Sequence, residues 1–183
     1  MSHVPEPRVT IQPEPAVRRA TPADADDVAA LAAETFVETF GHLYRREDLQ
    51  AFLREQQAPA NYRHVLHDPA VAIWLATDEA GGLTGFVTAG PCKLPVPKRP
   101  AAAGEIRQLY LRGSAQGRGL GTRLLNLGLD WLVDRAFSPL YIGVWSGNHG
   151  AQRLYGRHGF RKIAEYDFPV GGHLDREFIL QRG

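Results

Sequence analysis

Cys92 is the only cysteine in 183 residues, so an internal disulfide is excluded and the reducing cytoplasm is the expected setting. No apolar run approaches the ~20 residues that cross a bilayer. The opening stretch "MSHVPEPRVTIQPEP" has four prolines and no apolar centre, so neither a membrane anchor nor a secretory leader is expected. The charges nearly cancel, at 21 basic against 20 acidic residues, which removes the basic excess that a nucleic-acid surface needs. Any anion must therefore be gripped locally. The seven histidines show neither H-E-x-x-H nor another paired-ligand spacing, so no metal site is expected. Nothing signals assembly beyond a monomer or a homodimer.

What is present is ordinary for a soluble globular chain: 44% hydrophobic and 22% charged residues, in a length that suits one domain. Residues 1–15 are expected to be a flexible tail, in which "RVTI" is a candidate edge strand, and residues 16–183 the single domain. "AVRRAT" reads as a strand. Thr21 and Pro22 then open a helix whose apolar stripe runs through Val28, Leu31, Ala32, Thr35, Phe36 and Phe40. "REDLQAFLREQ" and "YRHVLHD" read as two further helices. "VAIWLAT" and "LTGFVTAG" form a hairpin across "DEAGG". "PCKLPVPKRPAAAG" is expected as an exposed loop, and "EIRQLYLR" as the strand after it. A helix follows with Leu120, Leu124, Leu127, Gly128 and Trp131 on one stripe. The strand "LYIGVWS", the short helix "GAQRLYGRHG" and a closing hairpin turned at Gly171 and Gly172 complete a mixed α/β order.

The informative stretch is "EIRQLYLRGSAQGRGLGTRLL", a strand that feeds a helix through glycines. Such a junction presents unpaired amides and the positive end of a helix to one point, which suits a phosphate. The P-loop fails here because no lysine follows the glycines, and the dinucleotide fingerprint fails because the sixth position from Gly117 is Thr122.

With Gln116, Gly117, Arg118, Gly119, Leu120 and Gly121, the segment "LYLRGSAQGRGLGTRLL" resembles the pyrophosphate and pantetheine motif of the GNAT superfamily of N-acetyltransferases. "NHGAQRLYGRHGF" resembles the second signature of that family through Asn148, Ala151, Leu154, Tyr155, Gly159 and Phe160. Gly113 and Ser114 depart from it, since many relatives have proline there. The resemblance covers the chain from about Ala16 to its end. It implies a mixed, mostly antiparallel sheet of about seven strands flanked by helices, with a splayed parallel pair forming the acetyl-CoA cleft.

The same resemblance implies that acetyl-CoA is the cosubstrate. Leu109, Tyr110 and Leu111 would pair with pantetheine, the amides from Gly117 to Thr122 would hold the pyrophosphate, and Asn148 would also border the cofactor. Acetyl transfer to an amine needs a neutral amine, an oxyanion donor and a proton for the leaving thiolate. Tyr155 matches the family's general acid. Glu105, at the start of the motif strand, is the candidate proton relay. A backbone N–H of the Leu109–Leu111 segment is the simplest oxyanion donor. Cys92, in a proline-rich loop with no nearby histidine, is not expected to act as a nucleophile.

The acceptor is expected to be a primary amine of a small molecule. The C-terminal half also looks like bacterial acetyltransferases for spermidine-type polyamines. A protein or peptide amine, or a non-catalytic acetyl-CoA-binding module, are the alternatives. Glu34 and Glu38 lie off the apolar stripe of their helix and are expected to be solvated.

Overall fold

The computed structural model describes residues 15–183, so the expected tail and its candidate edge strand lie outside the described residues. The first four strands are β1 (Ala16–Arg19), β2 (Ala72–Thr77), β3 (Leu83–Pro91), which is buried along nearly its whole length, and β4 (Gly104–Leu111), each antiparallel to the next. β5 (Leu140–Trp145) then pairs with β4 in parallel. The hairpin of β6 (Arg161–Val170) and β7 (His173–Arg182) places β7 antiparallel on β5, giving the order β1-β2-β3-β4-β5-β7-β6. The seven-stranded mixed sheet with one parallel pair is thus the expected architecture.

One face of the sheet receives α1 (Ala25–Phe40) and α3 (Pro59–His67), whose Val28, Leu31 and Tyr62 pack on Ile73, Leu75 and Phe86. α2 (Arg46–Gln56) sets Phe52 against Phe36 and Val170. α3 begins earlier than the sequence suggests because Pro59 occupies its first turn, where the missing N–H costs nothing. The other face carries α4 (Leu120–Asp134) and α5 (His149–Arg157), with Leu124, Leu125, Leu129 and Leu132 packed on Val87, Ala89, Ile106 and Ile142. No helix of the described residues is long and apolar enough to cross a membrane.

Two expectations need correction. The buried stripe of α4 is rotated toward Leu125, Leu129 and Leu132, and Leu127 and Trp131 lie half-buried at its margin. Trp131 is held there by Trp74, edge-on at 6.1 Å, and by the Arg135 guanidinium over its ring at 4.6 Å. The proline-rich loop after β3 is only partly exposed. Its Cys92, Leu94 and Ala103 are buried against Tyr141 of β5 and Ile179 of β7.

The entry to α1 is locked by Asp24. It accepts the Thr21 amide and hydroxyl at 2.7 and 2.8 Å, and Arg18 grips both its oxygens at 2.9 and 2.5 Å. The Arg18 hydrogen bonds, opposed by burial and helped by Thr21, hold this carboxyl well below the usual range. Asp24→Asn should therefore cost about 1 kcal/mol in urea unfolding at pH 7. A depressed carboxylate contributes its stability above its unfolded pKa and loses it as pH falls, so the gap to the parent should close in acid.

Candidate active site

β4 and β5 pair only where Gly104–Ile106 faces Leu140–Ile142; beyond that they separate. The register of β4 on β3 jumps there, from Ile106 opposite Ala89 to Gln108 opposite Thr88, which leaves Arg107 as the extra residue of a bulge. A bulge bends its strand, and this one turns β4 away from β5. Arg107 secures the bend by donating from Nε and Nη2 to the Pro91 carbonyl at 3.2 and 2.6 Å. On the β5 side stands Gly143, where a Cβ would meet Leu94 Cδ2 at 3.1 Å and Glu177 Oε2 at 3.2 Å.

The gap between the strands is a cleft of about 630 Å³, bordered by Leu109, Tyr110 and Leu111 on one side and by Asn148, Leu154 and Tyr155 on the other. At its mouth is the glycine loop. Gly117 and Gly119 have φ of +74° and +82°, a region that side chains resist, and a Cβ on either would meet nothing within 4 Å. Gly119 caps α4, so Leu120, Gly121 and Thr122 have no preceding intrahelical carbonyl, and Arg123 is the first to find one, at Gly119 O 3.0 Å away. Bare backbone, open space and a helix N-terminus coincide. These features fit a pyrophosphate, and the free edge of β4 fits an extended amide-bearing chain beside it.

The structure brings most of the candidate residues together. Gln116, Gly117, Gly121 and Asn148 border the cleft with the β4 edge. Gln116 Nε2 donates to the Leu111 carbonyl at 3.2 Å, tying loop to strand. Asn148 is also the N-cap of α5, accepting the Ala151 amide at 3.0 Å. Leu120 faces the core, so its contribution to the mouth is its amide. Arg118 is exposed beside the loop, and Arg123 Nη1 donates to the Pro15 carbonyl at 2.7 Å. Tyr155 reaches the cleft from α5. Burial, then the nearby Glu177 carboxylate, pushes its hydroxyl far above the ordinary phenol range, so it remains a proton donor at neutral pH.

Glu105 is placed elsewhere. It is 6% exposed, accepts the Lys93 amide at 2.6 Å and borders a second cavity of about 380 Å³ on the α1–α2 side of the sheet. Burial raises its pKa, against the opposing pull of the Lys93 amide and Arg107. Cys92 borders neither cavity, and burial pushes its thiol up. Glu34 and Glu38 are exposed, yet they are not simply solvated as expected. Glu34 pairs with Arg112 at 2.7 Å, and Glu38 accepts the Gly113 amide at 3.1 Å, so both clamp α1 to the loop that leaves β4. The described residues contain no group of acidic, histidine or cysteine side chains able to hold a metal.

Sequence reasoning missed Glu177. It borders both cavities at the throat where β4 and β5 part, and its carboxylate accepts the Tyr166 hydroxyl. The signal was available in "HLDREFILQR", where Asp175 and Glu177 share a strand face with Ile179. Acids at alternate positions on a face that ends in buried isoleucine are not solvated ornaments.

Residues 27–160 match the acetyltransferase (GNAT) family. An uncharacterised N-acetyltransferase of Lactobacillus delbrueckii subsp. lactis is 26% identical over 87% of this chain and 91% of its own length. A phosphinothricin N-acetyltransferase of Streptomyces coelicolor is 29% identical over 65% of this chain and 68% of its own. Among solved structures, PaiA N-acetyltransferase from Thermoplasma acidophilum, in complex with coenzyme A, superposes with a TM-score of 0.72 at 17% identity, over 92% of this chain and 98% of that one.

Gly119→Val tests the loop. The substitution forces a β-branched residue into positive φ, a strain of about 1–3 kcal/mol, and covers the bare backbone. Calorimetric titration with coenzyme A, at a temperature where circular dichroism shows the variant folded, should give affinity weakened by about tenfold or more, equivalent to ~1.4 kcal/mol. Unchanged affinity would place the phosphate site elsewhere.

Proposed function

The chain belongs to the acetyltransferase (GNAT) family, and on that premise we propose that it moves an acetyl group from acetyl-CoA directly to the primary amine of a small molecule. The carrying observation is the pair of cavities that meet at the β4–β5 split, one beside the glycine loop and the other bordered by residues of α1, α2, β6 and β7. A volume of about 380 Å³ lies within the ~300–1,000 Å³ of small-molecule pockets, which favours a compact acceptor over a peptide. A polyamine, suggested by the likeness of the C-terminal half, is one member of that class. The buried, unpaired Cys92 suits a cytoplasmic enzyme.

When bound, acetyl-CoA supplies the acetyl group as an activated thioester. The amides of Gly117 to Thr122 would hold its pyrophosphate, and the free edge of Leu109–Leu111 would pair with its pantetheine and donate where negative charge develops on the carbonyl oxygen. Tyr155 would give its hydroxyl proton to the departing sulfur. Its place on the cleft favours catalysis over binding alone. A carboxylate on the acceptor side must first relieve the ammonium of a proton, and Glu105 of the motif strand is one of the groups facing that space.

Release of coenzyme A thiol, followed across polyamines, other small amines, amino acids, aminoglycosides and peptides, tests the reading. Turnover confined to peptides would replace the small-molecule acceptor, and cofactor binding with no turnover above hydrolysis would leave a binding module. Tyr155→Phe keeps the ring and deletes its proton. It should lower kcat by about 10 to 10³-fold with KM for acetyl-CoA little changed. Cys92→Ala should leave turnover intact. The opposite pattern, with Tyr155→Phe fully active and Cys92→Ala dead, would require an acyl-cysteine, detectable by intact mass.

A further inference from the structure

The walls of the second cavity are aromatic: Phe36, Phe40, Tyr44, Phe52, Trp145 and Phe168. The rings brace one another. Phe36 stacks on Phe52 at 4.6 Å and on Tyr44 at 6.0 Å, Phe40 meets Trp145 edge-on at 5.8 Å, and Phe52 meets Phe168 at 5.9 Å. Such a chamber rewards a flat apolar body and, through the ring faces, a cation beside it.

Glu105, Asp175 and Glu177 face the same space, and their partners separate them. Glu105 is held by the Lys93 amide and lies in the field of Arg107 and Lys93. Asp175 accepts the Tyr44 hydroxyl and pairs with His173 Nε2 at 3.2 Å. Glu177 accepts the neutral Tyr166 hydroxyl, and no salt bridge among the described residues reaches it. Of the three, Glu177 alone also borders the cofactor cleft.

Resting on the acetyltransferase reading, we infer that the acceptor is a monoamine on a flat apolar body and that Glu177 receives its ammonium and takes the proton that blocks attack. A second ammonium has no comparable place, because the remaining charged groups at the chamber are two carboxylates already held and the cations Arg107 and Lys93. The protons balance. One passes from R–NH₃⁺ to Glu177 and on to solvent. The second leaves nitrogen as the C–N bond forms and replaces the proton that Tyr155 gives to sulfur as the C–S bond breaks. The sum is one amide, one thiol and one proton released.

The groups facing Glu177 are Tyr166 from β6, Asp175 on its own strand, Glu105, Arg107 and Tyr110 from β4, Tyr44 after α1 and Tyr155 from α5. Burial first, then Asp175 and Glu105, raises its pKa, against the opposing Tyr166 bond. Ionised Glu177 is the active form, so kcat/KM should rise with pH through a value above the ordinary glutamate range.

The experiment measures kcat/KM for 2-phenylethylamine, tryptamine, spermidine and an N-terminal alanine peptide in the parent, Glu177→Gln and Glu105→Gln, from pH 6 to 10. In the parent the two arylalkylamines should exceed spermidine and the peptide. In Glu177→Gln, their kcat/KM should fall by about 10² to 10³-fold at pH 7. The loss should narrow at high pH, where the free amine is already neutral, and calorimetric affinity for acetyl-CoA should be unchanged. Glu105→Gln should lose less than about tenfold, a change of ~1.4 kcal/mol. Spermidine as the best acceptor, or the large pH-dependent loss at Glu105 instead of Glu177, would overturn the inference and leave the acetyltransferase reading intact. No acceptor turned over, with no affinity for acetyl-CoA in the parent, would sink that reading as well.

Discussion

The structure depends on one interrupted ladder. A parallel pair joined by a crossover helix normally continues its hydrogen bonds to the strand ends, yet β4 and β5 stop after Ile106 and Ile142. The extra residue at Arg107 bends one strand, and the absent side chain at Gly143 lets Glu177 and Tyr166 approach the other within 3.2 Å of where a Cβ would stand. Backbone groups that would have paired across the gap are left for a ligand. Leaving them bare in a closed core would be costly, which is why the gap opens into a cleft. The strand still pairs with β3 on both sides of the bulge, so the free edge is backed by a neighbour.

From that interruption follow two cavities with different chemistry. One side has backbone donors, two glycines at positive φ and the start of α4, and it suits an anionic, extended cosubstrate. The other has aromatic walls and carboxylates, and it suits an ammonium. The throat between them is where a donor and an acceptor can meet. Glu177 borders it and Tyr155 lines the cleft beside it, one a carboxylate that no ion pair among the described residues reaches and the other kept protonated by burial. A transfer between thioester and amine requires one group that gives a proton and one that takes it, and these two are the pair proposed for those tasks.

Much of this was legible in the chain. The glycine run and "NHGAQRLYGRHGF" mark the first cleft because they encode local backbone geometry, a positive-φ cap at Gly119 and an N-cap at Asn148. The element order was equally readable, since strand and helix periods are local. What escaped depends on residues far apart in sequence. Glu177 gains its place at the throat from Gly143, Tyr166 and the bulge at Arg107, none of which its own strand announces. Glu105 sits on the motif strand, but at the pairing that precedes the split, and so faces the second cavity. Trp131 looked like core by period and was drawn to the margin by Trp74 and two arginines. Burial of Cys92 likewise required knowing that Tyr141 and Ile179 lie beneath it.

On the proposed function, the split between β4 and β5 binds the cosubstrate through its backbone. Amide hydrogen exchange with and without acetyl-CoA reads those groups directly. Exchange should slow at Leu109–Leu111 and across 117–122, with little change along β6 at the far edge of the sheet. Protection concentrated elsewhere, with Leu109–Leu111 and the glycine loop unaffected at saturating acetyl-CoA, would contradict it.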